Sequence, residues 1–304
     1  MEYISRLIFE GDSIQIGEWR CYPDSQLWAE ENIAGNKPMV VFPRSAVQIQ
    51  QSGRDVIVTS PNHVVFYNKD QTYRRGLASR RGDICEYVYI DPNIVAEMQS
   101  TLGLPISHDI NSPFQTSQGP CHTEAFLIQR ALCKQISESD GPLDPLLVEE
   151  SFLTILPRLI LDSNHGAPTK SHNPKKSSTI EKRRLQIETA KEYLNKNLSH
   201  SVSLSSVATA CESSAFHISR VFKQHVGVSI FQYLISLRLR NAFERIIDSS
   251  NPLTKIAFES GFSSQSHMTN LFTREFGVPP SFVRKNKPVE IIRRVLKRHQ
   301  HLYP

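Results

Sequence analysis

The chain has 304 residues, enough for two domains with separate cores, and its net charge of +5 hides a division between its ends. Residues 1–165 hold 13 Lys and Arg against 21 Asp and Glu, whereas residues 166–304 hold 22 against 9; this surplus favours a polyanionic partner for the back half over a merely solvated surface. The five cysteines (Cys21, Cys85, Cys121, Cys133 and Cys211) are too scattered for a metal knuckle or redox pair, and no apolar run approaches the roughly 20 residues of a membrane span.

The opening MEYISRLIFEGDS has acidic residues and no sustained apolar core, which predicts no signal peptide. From Met39 to Ile90 the chain reads as short strands: MVVFP, AVQIQQ, DVIVTS, HVVFYN and CEYVYI, punctuated by Pro43, Gly53, Pro61, Asn62 and Gly82. This spacing suggests a small antiparallel barrel or sandwich. The RGD at 81–83 reads as a turn before a strand. Ile128, Ala131, Leu132 and Ile136 then share a helical face. A second helix starts near Pro145 and buries Leu147, Phe152, Leu156, Leu159 and Ile160, with Pro157 expected to kink or end it. These two helices are either core packing or a dimer surface.

SNHGAPTKSHNPKKSS, within the predicted linker 163–181, is polar and has no apolar periodicity. Short helices follow. Ile187, Ala190, Tyr193 and Leu194 define the first; Ser203 or Ser205 caps the next, about 204–210. Residues 214–226 form a third, with Ile218, Val221, Phe222 and His225 inward and Gly227 as its stop. A longer helix, about 229–248, carries Leu234, Leu237, Leu239, Ala242, Phe243, Ile246 and Ile247. Then the unit recurs: helix 253–260, a turn at Gly261, and residues 264–276 before Gly277. Ser214, His217, Phe222 and Gly227 repeat at one offset as Ser264, His267, Phe272 and Gly277, and Val207 and Ala208 recur as Ile256 and Ala257.

A short helix, a tight turn and a second helix with a polar outer face make a helix-turn-helix, whose second helix enters the major groove. The strut between the copies, about 20 residues, spans roughly 30 Å, close to the ~34 Å repeat of B-DNA. Outward on the first copy are Ala215, Phe216, Ser219, Arg220 and Lys223; on the second, Gln265, Ser266, His267, Thr269 and Asn270. Arginine pairs with guanine edges, and Asn or Gln with adenine. Arg238 and Arg240 on the strut suit either structural ion pairs or phosphate contacts.

The phrases LSSVATA, SAFHISRVFKQHVGVS, QYLISLRLRNA, LTKIAFESGFSSQSHMTNLF and REFGVPPSFVRK resemble the tandem helix-turn-helix domain of the AraC/XylS family of bacterial transcription regulators. The resemblance implies base-facing Phe216, Ser219 and Arg220 in the first copy and Gln265, Ser266, His267 and Asn270 in the second, with Lys223 completing the DNA-binding set. Three positions depart from the family pattern. Glu212 stands where the first turn usually has glycine, Thr273 replaces a usual lysine, and Asn270 sits where arginine is common. VVFPRSAVQI, SPNHVVFYNKDQTYRR and RGDICEYVYI resemble the cupin-like sensor domains fused to such regulators. Metal-binding cupins need several converging histidines, and residues 39–90 offer only His63, so no metal or cofactor is expected.

The expected architecture is α+β and two-domain. A cupin-like antiparallel β-barrel with packed helices (1–162, sensing and dimerisation) is followed by the linker 163–181, an all-α tandem helix-turn-helix (182–286) and a basic tail (287–304). The tail VEIIRRVLKRHQ reads as a solvated amphipathic end or an extra phosphate grip. The expected partners are double-stranded DNA, a small-molecule effector with Arg44, Tyr67, Tyr73 and Arg74 at its site, RNA polymerase if the protein activates, and a second copy as a homodimer. The expected location is the cytoplasm, on the nucleoid. The alternative is a cupin-type enzyme or DNA-repair protein with the same DNA-binding module. The missing histidine cluster and the scattered cysteines weigh against it.

Overall fold

The computed structural model describes residues 3–138, 144–165 and 174–299. The front of the chain forms β1 (Tyr3–Glu10), β2 (Ile14–Cys21), β3 (Asn32–Ile33), β4 (Met39–Pro43), β5 (Val47–Gln51), β6 (Ile57–Thr59), β7 (His63–Tyr67), β8 (Thr72–Leu77) and β9 (Asp83–Ile90). Helix α1 (Pro92–Thr101), strand β10 (Gln118–Pro120), and helices α2 (Thr123–Glu138) and α3 (Pro145–His165) follow. The strands make an antiparallel six-stranded sheet, order β1-β2-β9-β4-β7-β10, and a four-stranded sheet, order β3-β8-β5-β6. The sequence reading starts its strands at Met39 and misses β1, β2, β3, β8 and β10. Strand β1 lies at the sheet edge and is exposed over most of its length, so it lacks the alternating burial that marks a strand.

Strand β9 is covered on both faces. Asp83, Cys85, Tyr87 and Tyr89 line a cavity, while Ile84, Glu86, Val88 and Ile90 occupy the opposite face. There Glu86 accepts from Arg130 Nη1 at 2.7 Å and from Gln129 Nε2 at 3.2 Å, with Arg44 Nη1 at 3.4 Å. Both α2 and α3 are core helices. Phe152 meets Phe42 edge-on at 6.0 Å, and Val148, Ile155, Leu156, Leu159 and Ile160 are buried along α3. Pro157 lies inside α3 and does not end it. Burial of several large side chains, each contributing about 1.5–3 kcal/mol, outweighs the ~3 kcal/mol a helical proline costs.

The back of the chain forms α4 (Pro174–Lys196), α5 (Leu204–Ala210), α6 (Ala215–Val226), α7 (Ile230–Asp248), α8 (Leu253–Glu259), α9 (Gln265–Phe276), α10 (Pro280–Lys285) and α11 (Pro288–His299). Helix therefore occupies both ends of the predicted linker, and residues 166–173 fall outside the described residues. Ile187, Ala190, Leu194, Val207, Ile218, Phe222, Tyr233 and Leu237 gather in one core where α4, α5, α6 and α7 meet.

Two compact units result, residues 1–165 with 273–304, and residues 166–272. The first unit includes α11, which packs on α2 and buries Ile291, Ile292 and Val295. Val289 N donates to Gln135 Oε1 at 3.3 Å, and the Phe276 and Phe126 rings stack at 6.2 Å. The apolar stripe of the tail is therefore part of a core, while Arg293, Arg294 and Lys297 on the same helix stay exposed. Among the described residues no helix is long and apolar enough to cross a membrane.

Candidate nucleic-acid interface and ligand cavity

The two recognition helices are built alike from local chemistry. Ser214 Oγ accepts from His217 N at 3.2 Å at the start of α6, and Ser264 Oγ accepts from His267 N at 3.1 Å at the start of α9. Gly227 and Gly277, at φ +84° and +69°, end them. Each helix is pinned to α7 by a phenylalanine: Phe222 meets Tyr233 edge-on at 5.4 Å, and Phe272 stacks on Phe243 at 6.2 Å. Tyr233 and Phe243 are about 15 Å apart along that strut.

Opposite these anchors lie the sequence-read contacts. Phe216 is 78% exposed, Arg220 and Lys223 are exposed, and Ser219 is half-buried. The Arg220 guanidinium sits 6.0 Å from the Phe216 ring centroid, within range of a cation–π contact. On α9, Gln265, Ser266, His267 and Asn270 are all exposed. His267 Nδ1 lies 3.1 Å from Ser263 Oγ, and its ring meets Phe262 edge-on at 5.7 Å, so its orientation is set. Thr254 Oγ1 donates to Gln265 Oε1 at 2.6 Å, linking α8 to α9.

Three strut and helix assignments are corrected or resolved. His225 is exposed instead of inward, its Nδ1 2.9 Å from Val221 O. Arg238 donates to the carbonyls of Leu198 and His200 at 2.9 and 2.7 Å, and Arg240 is buried. Both side chains are therefore engaged within the fold. The sequence reading missed Lys182 and Arg183, which line a groove with Ser213, Ser214 and His217 at the N-terminal end of α6. The basic run KRR at 182–184 was the available signal.

The two turns differ in strain. Glu212 is left-handed at φ +46°, and Gly261 holds the matching place at φ +84°. A side chain in this conformation costs about 1–2 kcal/mol, so Glu212→Gly should stabilise the chain by up to about 1 kcal/mol after the extra unfolded-state freedom is subtracted. Gly261→Ala should cost about 2 kcal/mol, because its Cβ would lie 2.5 Å from Leu198 O and 2.7 Å from Arg238 Nε. Urea melts of the two variants measure both signs; a neutral Gly261→Ala would show that the turn relaxes freely.

In the first unit, a cavity of about 190 Å³ lies among residues of both sheets. Tyr67 and Tyr73 line it, as do Trp19, Asn32, Tyr87 and Tyr89. Arg44 and Arg74 do not: Arg44 faces Glu86, and Arg74 is exposed. Tyr73 and Arg74 are neighbours on β8 and must point to opposite faces, whereas Tyr73 and Arg75 share one. That rule, applied to the sequence, would have selected Arg75. Arg75 is 5% exposed; its Nη1 donates to Asp83 Oδ2 at 2.9 Å, and its Nη2 donates to Asn32 Oδ1 at 3.1 Å and to Tyr73 Oη. Burial pushes the Asp83 carboxyl up against the pull of Arg75, and it pushes the Tyr67 and Tyr73 hydroxyls up as well. His63 is buried with Nδ1 3.1 Å from Ser60 Oγ, and among the described residues no group of His, Cys, Asp and Glu is placed to hold a metal.

A family model described as a helix-turn-helix domain matches residues 207–286. The multiple antibiotic resistance protein MarA of Escherichia coli is 30% identical over 96 residues, which cover 32% of this chain and 76% of that protein. The bifunctional transcriptional activator/DNA repair enzyme AdaA of Bacillus subtilis is 27% identical over 99 residues, 33% of this chain and 47% of that protein. Among solved structures, ToxT of Vibrio cholerae aligns over 91% of this chain and 100% of its own, with 11% identity and a TM-score of 0.35.

Proposed function

This chain belongs to the AraC/XylS family of DNA-binding transcription regulators, and we propose that α6 and α9 enter successive major grooves on one side of the duplex while the two-sheet cavity holds a small effector. The observation that carries this reading is the duplicated unit: two capped helices, each fixed to one strut by a phenylalanine, each with its polar face exposed. The strut rises about 28 Å from end to end and carries the two anchors about 15 Å apart.

Arg220 pairs with guanine and Phe216 packs on a thymine methyl or sugar, with Ser219 beside them. Gln265, Ser266, His267 and Asn270 form the second reading set. Lys223, Lys182 and Arg183 hold phosphates and set the register. A homodimer through the first unit, and RNA polymerase contact if the regulator activates, complete the assembly. No catalytic role is assigned. A repair chemistry using a cysteine nucleophile needs an accessible thiolate, and all five cysteines are buried, with burial pushing the Cys211 thiol up to about 11.

The test is selection of duplexes from a random pool by the full chain. The enriched sites should contain two blocks of preference about one helical turn apart. Affinity for them should fall on the order of 10³-fold between 50 and 200 mM salt as counterions are released. A single block, or no enrichment at low salt, overturns the two-groove reading.

A further inference from the structure

We infer that the ligand of the two-sheet cavity is an uncharged single-ring aromatic compound bearing one hydrogen-bond-accepting oxygen, such as an aryl ketone or a phenol. The inference rests on the effector reading above and names the ligand's chemistry.

Size sets the first limit. A cavity of about 150 Å³ accommodates benzene, so about 190 Å³ holds one ring and a small substituent and excludes a long acyl chain. The walls set the second. Met39, Val47, Ile49 and Val65 supply apolar surface, and the tyrosine pairs Tyr67–Tyr73 and Tyr87–Tyr89, with centroids 4.9 and 5.2 Å apart, supply ring faces and edges. Flat rings pack well against such surfaces. A sugar, with a hydroxyl on nearly every carbon, would leave most of them without partners.

The polar groups set the third limit. Four of them, Arg75, Asp83, Asn32 and Tyr73, form one hydrogen-bonded cluster. Arg75 Nε is buried without a partner, and Tyr73 Oη accepts from Arg75, which leaves its own proton to donate. The cluster therefore offers donors and asks the ligand for an acceptor. Its charge is already balanced, since Asp83 answers Arg75. A carboxylate ligand would bring an extra buried negative charge, which costs more than its hydrogen bonds return.

Calorimetry and thermal melting of the full chain at pH 7 should compare acetophenone, phenol, toluene, benzoate, xylose and octanoate. Acetophenone and phenol should bind and raise Tm, with toluene and benzoate at least tenfold weaker and xylose and octanoate silent. Ala34→Leu, which fills the cavity, should weaken acetophenone binding at least tenfold; if it does not fold, Val47→Ile takes its place. The double replacement of Arg75→Met with Asp83→Leu should erase the preference for acetophenone over toluene. Tighter binding of benzoate, xylose or octanoate that Ala34→Leu abolishes overturns the ligand class and keeps the effector site. Acetophenone binding that survives the filling variants overturns the site. Silence from all six probes, in protein that binds DNA normally, overturns the ligand class and the effector reading together and leaves the DNA-binding reading intact.

Discussion

Glu86→Ala is expected to destabilise the first unit by about 3–5 kcal/mol, the range for removing one partner of a buried charge pair. Glu86 is 1% exposed and Arg130 3%, and the carboxylate also holds Gln129 and lies 3.4 Å from Arg44. Its loss removes the carboxylate that faces two guanidinium groups between a sheet and a helix. The same strand carries Asp83, Cys85, Tyr87 and Tyr89 into the cavity, so ligand-induced stabilisation should shrink with it. Replacing the pair together, Glu86→Leu with Arg130→Met, should cost less, because the buried Arg130 guanidinium is removed along with its carboxylate. Urea unfolding of the full chain, followed by circular dichroism, separates the cases. A loss below about 1 kcal/mol for Glu86→Ala would mean that water reaches the pair and screens it.

Arg220→Ala should weaken specific DNA binding about ten- to a hundredfold and leave binding to random duplex nearly unchanged. A bidentate guanine contact contributes roughly 1–3 kcal/mol of base discrimination, and Phe216 lies beneath the guanidinium to hold it in place. Phe216→Ala should therefore relax the same base preference even though it removes no charge. Asn270, at the matching place on α9, is shorter and favours adenine, so Asn270→Ala should cost less and act at base pairs about one turn away. The comparison belongs on one duplex at fixed salt, since phosphate contacts move every affinity together. Equal losses on specific and random DNA would make Arg220 a phosphate clamp, and a larger penalty at Asn270 would reverse the order.

Binding assays on a fragment beginning near residue 180 would carry a penalty that the sequence did not announce. Without the first unit's α2, the stripe of Ile291, Ile292 and Val295 on α11 loses its cover. Assays are therefore better made with the full chain.

The sequence by itself determined the duplicated recognition unit: the helix limits, the serine caps, the glycine stops and the outward side chains. These depend on interactions within a few residues, and on a periodicity that shows which face is apolar. It also exposed Glu212 as a misfit in the turn, because backbone conformation at a glycine position is a local matter; its φ of +46° agrees. Edge strand β1, the run of α3 past Pro157 and the place of α11 were decided by tertiary structure. Each depends on a surface supplied from elsewhere: β2 for the edge strand, the sheet for α3, and α2, over 150 residues upstream, for Val289 and the buried stripe. Arg75 lies between the two cases. Alternation on β8 put it on the face of Tyr73, but only the opposing strands, by burying that face and bringing Asp83 to meet it, made it the charged centre of a cavity.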